Sequence, residues 1–320
     1  MRHAVLIIAH KNAKQLTRLI STLKDDDIDV YVHIDKKWKI SASEIEDIKN
    51  ANKSVTIIDK RISGFLDTWS LCKITLELIK AALESSNDYS YYMLLSGQDY
   101  PIKSISYIKS FLEEQYPKPL IDCTPMVKDN WIYSGFKWIR FHPYYRFVER
   151  ITKNKKLKKL MLMPAYAVQL IVTYLIGSPY KRLKKVDCEL YGGSAWWILP
   201  KEIVQLCLFE SQKNTEIIKA FKLKNTPEET FFQTMSMRSS LKNMIEINEP
   251  YEIRQNCMTY AYFFDETHEP TGHPYILTDD NYEMLKSRRE LFARKFELGV
   301  SESLMNRIDL EVAEKAGSEL

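Results

Sequence analysis

Residues 4–35, AVLIIAHKNAKQLTRLISTLKDDDIDVYVHID, carry the pattern on which the fold turns. AVLIIAH (4–10) and VYVHID (30–35) are short runs rich in β-branched and aromatic residues, suited to buried strands. NAKQLTRLISTL, between them, spaces its apolar residues as a helix does. The alternation continues with a helix at SASEIEDIKN (41–50), a strand at SVTIID (54–59), a longer helix at DTWSLCKITLELIKAALES (67–85) and a strand at YYMLLSG (91–97). Strand and helix in alternation predict right-handed crossovers and a mainly parallel, Rossmann-like sheet flanked by helices.

Ligands of such sheets sit beyond the carboxyl ends of the strands. That rule selects His10, Asp35 and SGQDYP (96–101), the segment containing Asp99. At a strand end Asp35 either accepts hydrogen bonds from a ribose or base or caps the following turn. His10 is a binding residue or a satisfied strand-end histidine. Neither G-x-G-x-x-G nor G-x-x-x-x-G-K-[ST] occurs, which argues against a standard dinucleotide fold and a P-loop.

The chain has 320 residues, 45% of them apolar and 28% charged, with a net charge of +4, so it buries a large core and has no general nucleic-acid footprint. Five cysteines (72, 123, 188, 207, 257), widely spaced and without a C-x-x-C pair, suit a reducing compartment rather than a disulfide framework or zinc ribbon. The apolar start of MRHAVLIIAH is too short for a signal peptide or anchor, so the fold is expected to begin within a few residues of Met1.

The middle of the chain is less regular. NWIYSGFKWIRFHPYYRF (130–147) sets aromatic rings beside Arg140 and Arg146, either to stack on sugars or bases or as core. Residues 160–177, LMLMPAYAVQLIVTYLIG, hold no charge and lie between KNKKLKK (153–159) and YKRLKK (180–185). They form either a buried helix or an interfacial one on an anionic membrane, with 153–185 as the contact. DCELYGGSAWWILPKE (187–202) reads as a loop, a strand and a helix start. In NTPEETFFQT (225–234), Thr226 reads as an N-cap, Pro227 as the first helical residue and Glu229 as its capping-box partner, with Glu228 favoured by the helix dipole. Arg288, Arg289, Arg294 and Lys295, near the end of 271–297, read as a solvated helix face or an anion site.

Taken in order, VYVHIDKK, DTWS, YYMLLSGQDYPIKS, GGSAWWILPKE, TPEETFFQT and LFARKFE resemble the core-2/I-branching β-1,6-N-acetylglucosaminyltransferases and the related peptide O-xylosyltransferases. The chain looks like a bacterial-type member, with neither the anchor nor the disulfides of secreted-pathway relatives. The resemblance implies a GT-A type glycosyltransferase fold with an irregular acceptor-side region and a helical C-terminal part. It implies one glycosyltransferase domain over 1–320, with a nucleotide-sugar-binding half (1–117) and an acceptor-binding, catalytic half (118–320). The implied activity is an inverting transfer of a sugar, N-acetylglucosamine from UDP-GlcNAc, to a glycan or lipid-linked glycan hydroxyl in surface polysaccharide synthesis. The alternatives are UDP-xylose, UDP-glucose or UDP-galactose as donor, or a non-catalytic glycan-binding or membrane-scaffold protein. By the same resemblance Glu229 is the catalytic base, and Arg294 and Lys295 hold the donor diphosphate. Ser194 and Trp196 form an acceptor-side wall, and His273, in GHPY, stands near where one relative has a diphosphate-binding arginine. The D-x-D strings of KDDDID (24–29) precede the second strand, at the wrong end of the sheet for a metal-held diphosphate. The expectation is therefore no metal and no cofactor beyond the UDP-sugar substrate, and a cytoplasmic location, peripheral at the inner face of the plasma membrane.

Overall fold

The computed structural model describes residues 1–126, 148, 151–152, 154–185, 188–213, 215–248, 256–263 and 274–318. The first half runs β1 (His3–Ala9), α1 (Ala13–Thr22), β2 (Ile28–Ile34), α2 (Ala42–Asn50), β3 (Val55–Ile57), α3 (Trp69–Leu83), β4 (Tyr91–Ser96), β5 (Asp99–Pro101) and α4 (Ile105–Gln115). After it come β6 (Leu120–Ile121), β7 (Thr124–Pro125), α5 (Lys155–Ile176), α6 (Pro179–Lys185), β8 (Tyr191–Gly192), β9 (Trp197–Pro200), α7 (Lys201–Gln212) and α8 (Glu216–Leu223). The chain continues through α9 (Phe231–Ser236), β10 (Thr259–Ala261), α10 (Tyr282–Lys286), β11 (Phe292–Arg294) and α11 (Glu302–Ser318). The aromatic stretch with Arg140 and Arg146, and His273, lie outside the described residues.

Every strand and helix expected in the first hundred residues is present. β3, β2, β1 and β4 are parallel in that order; β9 joins β4 antiparallel, and β6 joins β9 antiparallel and so runs with the first four. This is the mainly parallel α/β architecture expected of a GT-A type chain. Alternate residues of β1 serve two cores. Ala4 and Leu6 pack with α3, α7 and α9, whereas Val5 and Ile7 pack with α1, α4 and α11. Burial on both faces is why these strands read as continuous apolar runs rather than alternating ones. β9 is the strand read within 187–202, whereas β6, with only two residues, escaped the sequence reading.

A second sheet, β10-β11-β5, joins distant parts of the chain. β11 lies antiparallel to β5, directly opposing Arg294 to Asp99 and Phe292 to Pro101. The basic run 288–295 is therefore not a helix face: Arg288 lies over the Tyr260 ring, Arg289 bonds Asn256, and Arg294 ends a strand. The C-terminal part is helical only on either side of that strand.

Candidate active site

The carboxyl ends of β1, β2 and β4 form one edge, as the alternation predicts. His10 follows β1 there, with an exposed edge. Desolvation by its neighbours and the charge of Lys11 lower its pKa; Asp35 opposes them, and Lys295 and Lys37 add to the depression. Asp35 is buried and engaged by backbone. Its Oδ1 accepts from Lys37 N at 2.7 Å and its Oδ2 from Gly64 N at 2.9 Å. Its carboxylate thus holds the turn after β2 and the loop before α3, a structural task in addition to any ligand. The same loop is fixed by Ile62 N donating to His33 Nε2 at 2.9 Å.

Asp99 occupies a different place from the one expected of a donor-binding residue. It is fully buried, and its oxygens accept from Ser96 N at 2.7 Å and Ser96 Oγ at 2.9 Å. Burial pushes its pKa up, while Arg294, whose Nε lies 3.5 Å away, opposes that shift. Asp99 is therefore the counterion beneath Arg294. Above it the guanidinium carbon stands 4.2 Å from the centre of the Trp196 ring. Ring and carboxylate together orient the arginine.

The rest of the LFARKFE segment is tied to the end of β4. Phe296 N donates to Gln98 O at 2.9 Å, Gln98 Nε2 to Glu297 at 2.9 Å, and Lys11 pairs with Glu297 at 2.5 Å. Lys295 is half-buried, its pKa lowered by desolvation and by Lys11 and Arg294. Neither the Arg294 guanidinium nor the Lys295 ammonium hydrogen-bonds a described residue; buried Arg294 Nε has the Asp99 carboxylate as counterion but no hydrogen-bond partner.

Trp196 belongs to the segment that also holds the Glu229 turn. Gly193 N donates to Glu229 O at 2.8 Å, and Gln233 Nε2 donates to Ser194 O at 2.5 Å. Only glycine fits at 193: a Cβ there would sit 1.9 Å from Asp122 O. Phe231 and Phe232, fully buried, pack against Trp69 of α3, Phe221 of α8 and Trp197 of β9 at centroid distances of 5.1, 5.4 and 5.1 Å. Each such ring contributes about 1.5–3 kcal/mol of burial, which anchors the turn carrying the two glutamates.

The expected capping box is absent. Thr226 is left-handed at φ 50°, its side chain caps nothing, and Pro227–Glu229 is a single 3-10 turn before the short α9. Glu228 and Glu229 thus precede the six-residue α9 rather than lying in the first turn of a longer helix. Glu228, read as a helix-start residue, is instead buried, and its Oε1 accepts from Asp67 N at 3.0 Å. Its Oε2 is buried with no hydrogen-bond partner, and burial pushes its pKa up. Lys224 is wholly buried nearby, donating to Thr226 O at 2.9 Å and Thr230 Oγ1 at 3.0 Å, and burial lowers its pKa. Glu229 is the half-buried member of the pair. No periodic signal marks Lys224 in the sequence; its ammonium is held by the left-handed turn at Thr226, to whose carbonyl it donates.

The acidic string 24–29 lies at the opposite end of β2. Asp25 and Asp27 pair with Lys109 at 2.9 and 2.6 Å, and Asp29 pairs with Arg2 at 2.8 Å. Among the described residues no group of three or more His, Cys, Asp or Glu side chains is placed to hold a metal ion. The five cysteines are buried and none forms a disulfide. A cleft lined by Ile102, Tyr107, Tyr282 and Ile308 includes none of the site residues.

Fold and site define an α/β protein with a basic, aromatic-backed edge, to which a carboxylate turn is joined through the segment of Gly193 and Trp196. The chain belongs to the Core-2/I-Branching enzyme family, whose model matches residues 4–261 and so includes the Glu229 turn but not Arg294 and Lys295. It is similar to a xylosyltransferase of Ciona intestinalis, 22% identical over 98% of this chain and 34% of the relative. It is also similar to rat xylosyltransferase 1, 20% identical over 95% of this chain and 34% of the relative. The chain thus spans about a third of the length of these curated relatives. The structure of mouse xyloside xylosyltransferase 1 in its apo form covers 92% of this chain and 97% of its own at 9% identity and a TM-score of 0.39, too low a likeness to bear on the site.

Proposed function

We propose that the chain is an inverting glycosyltransferase that moves a sugar from a UDP-sugar, UDP-GlcNAc by preference, to a glycan or lipid-linked glycan hydroxyl in surface polysaccharide synthesis. One observation carries the reading: Arg294 and Lys295 stand at the ligand edge with no hydrogen bond to a described residue, Arg294 being held between Trp196 and Asp99. A guanidinium so oriented matches a diphosphate through paired hydrogen bonds, and an ammonium beside it adds a point charge. Uncompensated buried donors cost about 1–3 kcal/mol each, a cost that an anionic ligand removes.

In this reading Glu229 takes the proton of the acceptor hydroxyl as that oxygen attacks the anomeric carbon. The bond from that carbon to the diphosphate oxygen breaks, and UDP leaves toward Arg294 and Lys295. Glu229 is suited to the task by partial exposure, and its turn is held by Gly193 on the acceptor-side segment. Asp99 and Trp196 act as positioning residues for Arg294, and Ser194 lies on the acceptor side. His10 and Asp35 border the donor. The ion pairs that occupy Asp25, Asp27 and Asp29 at the other end of β2 support diphosphate binding without a metal. We place the enzyme in the cytoplasm, at the inner face of the plasma membrane.

A screen of UDP-GlcNAc, UDP-xylose, UDP-glucose and UDP-galactose for binding and slow hydrolysis tests the reading. One donor is expected to bind and to be hydrolysed by wild type. Binding of none would return the chain to a glycan-binding or scaffold role.

A further inference from the structure

α5 is arranged inside out. The side covered by protein carries Leu162, Ala165, Gln169 and Thr173, spaced as one helical stripe, so half of the covered positions are polar. The opposite side is apolar and open: Leu160, Met163, Ile171, Leu175 and Tyr174 are all exposed, Leu175 by 74% and Tyr174 by 89%. At 100° per residue the outward apolar surface runs from Tyr166 through Leu160 to Val168, about 200° of the helix circumference. An ordinary surface helix turns its apolar stripe to the core and its charges to water. Apolar surface presented outward over a whole helix marks an interaction face.

Charge identifies the partner. Between Asn154 and Lys185 there is no acidic residue. Exposed lysines stand at both ends of the face, Lys156 and Lys159 before it, and Lys181, Lys184 and Lys185 after it. Apolar side chains in the middle with ammonium groups at either end fit the boundary between acyl chains and anionic headgroups.

We infer that α5 lies flat in the interfacial layer of an anionic membrane, with Leu160, Met163, Ile171, Tyr174 and Leu175 entering the acyl boundary and the five lysines meeting headgroup phosphates. The helix lies on the membrane rather than crossing it. One side is covered by protein, and after the turn at Gly177, φ 84°, α6 returns to the globule with Leu183 fully buried. A protein partner or second copy would match the apolar centre but would need acidic groups placed at both ends; an anionic bilayer supplies them everywhere.

The test uses the full chain with vesicles of phosphatidylcholine alone or mixed with phosphatidylglycerol. Wild type is expected to sediment with the mixed vesicles only, and less as salt rises. Replacing Lys181, Lys184 and Lys185 by Glu is expected to weaken partition at least about a hundredfold, from the contribution of each basic residue near an anionic surface. Ile171→Asp with Leu175→Asp is expected to abolish binding although every lysine remains. All five positions are exposed, so thermal melting and nucleotide-sugar binding should stay as in wild type. The proposal is overturned if wild type ignores the mixed vesicles, if neither variant reduces binding, or if wild type forms a dimer that Ile171→Asp with Leu175→Asp dissolves. Failure of the glycosyltransferase reading looks different: no UDP-sugar binds in solution, whatever the vesicles show.

Discussion

Glu228 Oε1 accepts the backbone N–H of Asp67 at 3.0 Å, which joins the turn bearing Glu229 to the loop that Asp35 holds through Gly64 N. Two carboxylates thus pin one loop, Asp35 from the carboxyl end of β2 and Glu228 from the Pro227–Glu229 turn. In the proposed reading the adjacent glutamates have separate duties, and each duty is measurable.

Glu229→Gln is expected to lower transfer by about 10²–10⁴, the usual contribution of a general base, with melting temperature and donor affinity nearly unchanged. Glu228→Gln retains a carbonyl acceptor for Asp67 N and should retain most of the rate. Glu228→Ala leaves that N–H without its acceptor and should cost about 1–3 kcal/mol of stability, read from urea unfolding. A Glu229→Gln enzyme with more than about a tenth of wild-type activity would remove the base assignment.

Asp99→Ala leaves Arg294 without its buried counterion, a change that typically costs about 3–5 kcal/mol. Trp196→Ala removes the ring above the guanidinium, a contact worth about 0.5–2 kcal/mol, together with that ring's packing on the core. Both should weaken UDP-sugar binding, and both should lower the melting temperature. Equal donor affinity in Trp196→Ala and wild type would show that the stack does not orient Arg294 for the ligand.

Transfer should survive excess EDTA, whereas Lys295→Ala should weaken nucleotide binding. Loss of activity to the chelator, restored by manganese, would overturn metal independence and would require carboxylates elsewhere than in the ion-paired string 24–29.

His3 and His33 are fully buried, and burial lowers both pKa values from 6.5 to about 4. The folded chain therefore binds fewer protons than the unfolded chain between those values. Their stabilisation is whole above about pH 6.5 and is lost as pH falls toward 4, each adding up to about 1.4 kcal/mol per pH unit to the slope. Protonation of His33 also removes the acceptor for Ile62 N, loosening the loop between the two carboxylates. Urea midpoints should fall steadily from pH 7 to pH 5; a flat profile over that interval would contradict the buried neutral histidines.

The sequence by itself determined the parallel half of the fold, because β1, β2, β4 and helices α1 to α3 are specified by local periodicity. Their order alone sends His10 and Asp35 to one edge. It also determined a helix in 160–177, where eighteen uncharged residues at helical spacing admit little else, and that helix runs on to Ile176. Tertiary structure decided which side of that helix is covered, because burial depends on neighbours and not on composition: Gln169 went in and Tyr174 out. It decided the glutamates in the same way. TPEE reads locally as a capping box, yet Phe231 and Phe232 are drawn into the core, Thr226 turns left-handed, and Glu228 is carried to Asp67. Arg294 meets Asp99 and Trp196 only because β11 returns to pair with β5, a contact between residues far apart in sequence that no local pattern can encode.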